Sequence, residues 1–139
     1  MKVKQIMNRN VECIGPTTPI AKAAETMRDL DIGFLAVCEN DRLAGTVTDR
    51  DITVRSVAQG RDPRLASVSE IMTSGVFYCL EDDEIEDVAR QMQEKEVRRM
   101  LILNQDHKLC GVVSLGDIAK TTGETILAGE TLGEIAEAA

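Results

Sequence analysis

The 139-residue sequence has no tryptophan, one tyrosine, two phenylalanines and one histidine. With so few rings, a core must be built from Ile, Val, Leu, Met and Ala. The lone His107 stands between Asp106 and Lys108 in a polar stretch and reads as a solvated turn residue. Zinc sites want several His or Cys ligands at set spacing, which is missing, so no metal is expected. No histidine keeps company with a serine or cysteine in a triad-like pattern. Phosphate-binding Gly-x-x-x-x-Gly-Lys-Ser/Thr and dinucleotide-binding Gly-x-Gly-x-x-Gly patterns are both missing. Enzymatic chemistry therefore has no support. Basic residues are outnumbered, 16 against 24 acids, a net charge of −8. That excludes the positive field needed for non-specific nucleic-acid binding and disfavours an anionic membrane surface. No apolar run approaches the roughly 20 residues of a membrane span. The opening Met-Lys-Val-Lys-Gln-Ile-Met is too polar for a signal peptide, and a cytoplasmic protein is expected.

Four cysteines are present, Cys13, Cys38, Cys79 and Cys110, without Cys-x-x-Cys spacing. In a reducing compartment free, packed thiols are the default. A Cys13–Cys79 bridge is the alternative that the spacing leaves open.

What the chain does have is an internal repeat. Gly-Thr-Val-Thr-Asp-Arg-Asp-Ile at 45–52 returns as Gly-Val-Val-Ser-Leu-Gly-Asp-Ile at 111–118. Each copy has a glycine, a short apolar run, a hydroxyl residue, an acid three positions on, and isoleucine. Ile6-Met7 matches Ile71-Met72 at an offset of 65, and Gly45 matches Gly111 at 66. The extra residue falls in the polar turn around 104–108, where a repeat tolerates one. Halves of about 60–70 residues are marginal alone and should share a core.

Patterning makes each repeat β-α-β-β-α. Strands are expected over Val11–Ile14, Phe34–Val37, Gly45–Thr48, Val76–Leu80, Met100–Leu103 and Val112–Ser114. Thr18-Pro19 opens a helix with Ile20, Ala23, Ala24, Met27 and Leu30 on its apolar face. Gly33 helps the chain turn after it. Asp51–Ala58 is a second helix, with Gly60 as its cap. Ser67–Glu70 and Asp83–Glu86 have capping-box spacing. A helix with Ile85, Val88, Ala89 and Met92 inside follows the latter, and another starts near Asp117. The fold class is α/β: repeat 1 over residues 1–60, a linker at 61–66, repeat 2 over 67–120, and an acidic, helical tail at 121–139.

These pieces resemble the cystathionine β-synthase (CBS) domain, which occurs as tandem pairs. The resemblance covers about Val3 to Lys120 and looks like the small stand-alone bacterial CBS proteins, the hypoxic-response type included. It implies two units about a pseudo-twofold axis and a homodimer. It also implies clefts that take an adenosine-containing ligand such as AMP, ADP, ATP or S-adenosylmethionine. Such a pair senses its ligand and passes a shape change to an effector protein, which suits a stress-response regulator.

The candidate ligand residues follow. Thr48 with Asp51, and Ser114 with Asp117, put a hydroxyl and a carboxylate at a strand-to-helix junction. A carboxylate accepts from both hydroxyls of a ribose, and a hydroxyl with helix-start amides suits phosphate. The same spacing is also a plain capping box. Arg98 and Arg99 fall where the family carries phosphate-binding cations, and the planar guanidinium fork suits that anion. Their bland reading is a solvated pair answering Glu94 and Glu96. Repeat 1 has Gly33-Phe34 in that place, so the two sites should differ. Arg50, between Asp49 and Asp51, reads as exposed. Cys13 and Tyr78 stand where the family has a base-contacting Ser or Thr, and Ala36 and Leu101 where it has proline. Tyr78 either stacks on adenine or fills the cleft. A rival reading is a ligand-free interaction module binding a partner protein; a thiol- or metal-based sensor is another.

Overall fold

A computed structural model describes residues 1–122, the last two as backbone only. The chain divides into two compact units. The first unit is Glu12–Val76; the second joins Met1–Val11 to the chain from Phe77 onward.

In the first unit, β1 (Cys13–Ile14) leads to α1 (Ile20–Leu30), then to the hairpin β2 (Phe34–Glu39) and β3 (Arg42–Thr48). The sheet order is β1-β2-β3, with β1 parallel and β3 antiparallel to β2. A short α2 (Asp49–Asp51) follows and widens into a π-helical stretch, Ile52–Val57. The second unit repeats the order. It contains β4 (Tyr78–Leu80), α3 (Ile85–Lys95), β5 (Arg99–Leu103), β6 (Leu109–Ser114) and α4 (Leu115–Thr122). Its sheet order is β4-β5-β6 with the same senses. The mixed α/β class expected from the repeat is therefore what forms. The expected tail beyond Thr122 lies outside the described residues.

Each core is aliphatic, as the shortage of rings requires. Ile20, Leu35, Val37, Val47, Val68 and Ile71 are buried in the first unit. Val3, Ile85, Met92, Met100, Ile102 and Ile118 are buried in the second. Burying such side chains contributes about 1.5–3 kcal/mol each and holds the helices on the sheets. The helical periodicity of Ile20, Ala23 and Met27 puts them inside, but Leu30 is 47% exposed because α1 ends there.

Several local expectations are corrected. Pro19 is the N-cap of α1 rather than its first residue, and Thr18 makes no side-chain cap. Both long helices end on left-handed residues that are not glycine, Asp31 (φ 53°) and Glu96 (φ 59°). Gly33 is needed for space instead: a Cβ there would lie 2.8 Å from Asp49 Oδ2. The Asp83–Glu86 capping box does not form. Glu84 is the N-cap, and Asp83 Oδ2 accepts from the Leu80 amide at 2.9 Å. The box at Ser67 does form its backward arm, Ser67 N donating to Glu70 Oε2 at 2.6 Å.

Each Ile-Met lead-in serves the sheet of the other repeat. Thr73 pairs with Thr46 on β3, with amide bonds of 2.9 Å in both directions. Asn8 pairs with Val112 on β6 at 2.9 and 3.0 Å. The repeat glycines permit these crossings. A Cβ on Gly45 would lie 2.6 Å from the Thr73 carbonyl oxygen, and one on Gly111 would lie 2.6 Å from Met7 Sδ.

The cysteine expectation is also corrected. Cys13 and Cys38 form a disulfide, their Cα atoms 6.0 Å apart, within the usual span for such a bridge. Parallel pairing sets Cys13 beside Ala36, and Cys38 lies two residues further along β2. The Cys13–Cys79 alternative fails because Cys13 is bonded to Cys38. Cys79 and Cys110 are free.

Candidate functional site

The hydroxyl–acid pairs sit where β3 and β6 turn into helices. In the first unit, Thr48 keeps extended backbone angles while the chain turns helical at Asp49. The Asp51 amide donates to Thr48 Oγ1 at 3.1 Å, and the Thr48 amide donates to Asp51 Oδ2 at 2.9 Å. The second unit has the same geometry. The Asp117 amide donates to Ser114 Oγ at 3.1 Å, and the Ser114 amide donates to Asp117 Oδ2 at 2.9 Å. The capping box is therefore real in both copies. It uses the Oδ2 of each acid and holds the carboxylate in a fixed attitude. A carboxylate oxygen accepts more than one hydrogen bond, so Oδ1 retains acceptor capacity for a hydroxyl donor.

The strand beside each pair carries the next candidates. Arg99 is paired in register with Ser114, as Phe34 is with Thr48. The Arg98 carbonyl accepts from the Leu115 amide at 3.2 Å, as that of Gly33 accepts from Asp49 at 3.0 Å. Both arginine side chains are exposed. Backbone pairing thus brings Arg98, Arg99, Ser114 and Asp117 to one corner of the second unit. The matching corner of the first unit holds Gly33, Phe34, Thr48 and Asp51, with the Asp49 carboxylate over the glycine. Arg50 is exposed there, as expected.

Tyr78 and Cys13 occupy equivalent places on β4 and β1. Tyr78 pairs with Leu101 and Cys13 with Ala36. The Tyr78 side chain is 45% exposed, and the Cys13 sulfur is taken up by Cys38. Of the free thiols, burial pushes Cys79 up to about 12. Burial first and Glu81 second raise Cys110, whose Sγ lies 3.8 Å from Glu81 Oε2. Both shifts disfavour the thiolate, the nucleophilic form of a cysteine.

Sequence reading missed Arg55. Its Nε lies 3.7 Å from Asp51 Oδ1, and its Nη1 donates to the Ile71 carbonyl at 3.1 Å and Thr73 Oγ1 at 3.2 Å. The available signal was an arginine four residues after an acid at a helix start.

The CBS domain family model matches residues 3–57 and 68–123. The chain belongs to the CBS domain family. Among its relatives is hypoxic response protein 1 of Mycobacterium tuberculosis, 37% identical over 118 residues, covering 84% of this chain and 82% of that one. A CBS domain-containing protein of Bacillus subtilis, YhcV, is 35% identical over 133 residues, covering 96% and 94%. A crystal structure of Hypoxic Response Protein I with two coordinated zinc ions superposes with a TM-score of 0.78. It is 36% identical and covers 87% of this chain and 98% of that one. More distant structures share the fold: CBSX2 in complex with AMP (22% identity, TM-score 0.73) and the CBS pair of MJ0100 with 5′-methylthioadenosine and S-adenosyl-L-methionine (24%, 0.76). The chain covers 90% in each comparison and 98% of each neighbour is matched.

The zinc-bearing structure corrects the expectation of a metal-free protein. A CBS protein 36% identical to this one coordinates zinc. The expectation rested on ligand spacing along the chain, which says nothing of donors that a fold gathers from distant positions. Among the described residues here, no three His, Cys, Asp or Glu side chains stand together to hold a metal ion. Cys13 and Cys38 are bonded to each other. Among those same residues, no helix is long and apolar enough to cross a membrane.

Proposed function

We propose that this protein is a regulatory module that binds an adenosine-containing ligand and transmits its occupancy to a partner. The observation that carries the reading is the duplicated corner at Thr48–Asp51 and Ser114–Asp117. In each, one carboxylate oxygen is held by the cap and the other retains acceptor capacity. A ribose offers adjacent hydroxyl donors to such an acceptor. Arg98 and Arg99 give the second corner a cationic side suited to phosphate, which the first lacks at that position. Tyr78 offers a ring face for a base. The adenosine compounds in CBSX2 and MJ0100 support the reading at the level of the fold. A homodimer, a cytoplasmic setting and a role in stress adaptation belong to the same proposal. The relation to hypoxic response protein 1 supports the last of these. No reaction is assigned to the chain. A ligand acts by favouring the conformation to which it binds better.

Thermal unfolding with AMP, ADP, ATP and S-adenosylmethionine tests this. A ligand at 100 times its Kd stabilises by about 2.7 kcal/mol, a midpoint shift of several degrees for a protein of this size. One compound should raise the midpoint, and the double change Asp51→Ala and Asp117→Ala should abolish the shift. If none of the four moves the midpoint, the reading fails in favour of a ligand-free interaction module. Exposed Phe77, Tyr78 and Leu80 would then be the surface to examine.

A further inference from the structure

Arg55 differs from an ordinary exposed helix arginine in what it joins. Its guanidinium touches three groups from two separate parts of the first unit. They are the Asp51 carboxylate, the Ile71 carbonyl and the Thr73 hydroxyl. It projects from the widened stretch Ile52–Val57, where Ala58 N bonds to Thr53 O and Arg61 N to Ser56 O. Such π-turns interrupt regular helices and recur at functional sites. In a regular helix the residue four on lies over the first. Arg55 stands four residues after Asp51 and within ion-pair reach of it.

The contacts close a circuit. Asp51 Oδ2 is held by the Thr48 amide, and Asp51 Oδ1 faces Arg55. Arg55 holds Ile71 and Thr73, and Thr73 pairs with Thr46, two residues before Thr48 on the same strand. The Asp51 side chain is only 14% exposed, so its carboxylate is constrained from two sides. An arginine is suited to this because its planar fork presents several donors in fixed directions; a lysine ammonium is a compact point charge without that fork. The corresponding residue of the other repeat, four places after Asp117, is the uncharged Thr121.

We propose that Arg55 is a positioning residue: it aims the Asp51 carboxylate at a ligand ribose and couples occupancy there to the Ile71–Thr73 segment. This rests on the adenosine-binding reading above. A ribose hydroxyl donating to Oδ1 shares that oxygen with Arg55. Binding therefore changes how strongly Arg55 holds the lead-in, and the Asp51 site becomes the one with a mechanical output.

The test uses the full chain carrying Asp117→Ala, so that the Asp51 site alone is read. AMP and 2′-deoxy-AMP are titrated with Arg55 and with Arg55→Met, folding being checked by circular dichroism. With Arg55, loss of the 2′-hydroxyl is expected to weaken binding at least fivefold. With Arg55→Met, discrimination should fall to within twofold. AMP should also alter hydrogen exchange at the Thr73 amide only when Arg55 is present. A purely structural clamp would lower the melting point without moving the AMP to deoxy-AMP ratio. If Arg55→Met melts below the assay temperature, Arg55→Lys carries the same comparison, because it keeps charge but not the fork. An unchanged ratio in a folded variant overturns the Arg55 role alone. Binding by the unsubstituted chain but not by Asp117→Ala also overturns it, since the Asp51 corner then takes no ligand. If the unsubstituted chain binds neither nucleotide, this inference falls, and the sensing reading falls with it only when ADP, ATP and S-adenosylmethionine also leave the unfolding midpoint unmoved.

Discussion

Gly45 and Gly111 hold the places where the repeat is most constrained. Neither has a left-handed backbone, so conformational freedom is not their purpose. The reason is contact: a Cβ on Gly45 would sit 2.6 Å from a backbone carbonyl oxygen, which cannot rotate away. On Gly111 the nearest atom is a methionine sulfur, which can. Gly45→Ala should therefore destabilise by about 1–3 kcal/mol, the usual cost of overpacking, and Gly111→Ala by less. Gly15 is the control, because its nearest neighbour, Thr18 Oγ1, would be 3.7 Å from an added Cβ. Urea unfolding at constant slope reads the difference directly. Equal midpoints for Gly45→Ala and Gly15→Ala would show that the lead-in yields without cost. The acids behave differently. Asp51 and Asp117 stand in identical capping boxes, so their distinction comes from neighbours: Arg55 for the first, Arg98 and Arg99 for the second.

At the scale of elements, the disulfide ties β1 to β2 and closes a loop of 25 residues that contains α1. Chain-entropy reasoning gives a bridge of this span about 3 kcal/mol. Under denaturing conditions two thiols should titrate without reductant and four with it. Cys38→Ser should lower the unfolding free energy of the first unit by about that amount. Four thiols before reduction would remove the bridge from the protein in solution. Sequence did not disclose this pairing, and the reason is physical. Cys13 and Cys38 become neighbours only through parallel pairing of two strands separated by a helix, a non-local contact without a local signature. The elements themselves were legible because period-3.6 and period-2 patterns are local. Ile85, Val88, Ala89 and Met92 marked α3, and the offset between repeats located the longer turn near His107. Its Asn104 carboxamide oxygen accepts from the amides of Asp106 and Lys108. The hydroxyl–acid corners were legible for the same reason. Arg55 was not, since its importance lies in reaching Ile71 and Thr73, sixteen and eighteen residues away. The helix ends at Asp31 and Glu96 escaped notice because left-handed closure without glycine is uncommon.

For the whole molecule, the main consequence is that sequence order and structural order differ. Met1–Val11 belongs with the chain from Phe77 onward. Val3 is fully buried and Met7 nearly so among the second unit's hydrophobic residues. Their backbones bond to it too: Val3 N to Asp83 O at 2.9 Å, Lys4 N to Glu81 O at 3.1 Å, and Ile85 N to Met1 O at 3.0 Å. Deleting residues 1–11 removes two buried side chains worth about 1.5–3 kcal/mol each, before any hydrogen bond is counted. Against a typical total of about 5–15 kcal/mol, that is a severe loss for one unit. It should fall on the distant half of the sequence. Native-state hydrogen exchange on the deleted chain should show Val112 losing protection, because its amide partner Asn8 is gone. Thr46 and Thr73, which bond to each other inside Glu12–Val76, should keep theirs. Equal loss at all three amides would mean that the two units unfold as one cooperative block. Unchanged protection at Val112 would mean that the lead-in is not part of the second unit's stable core.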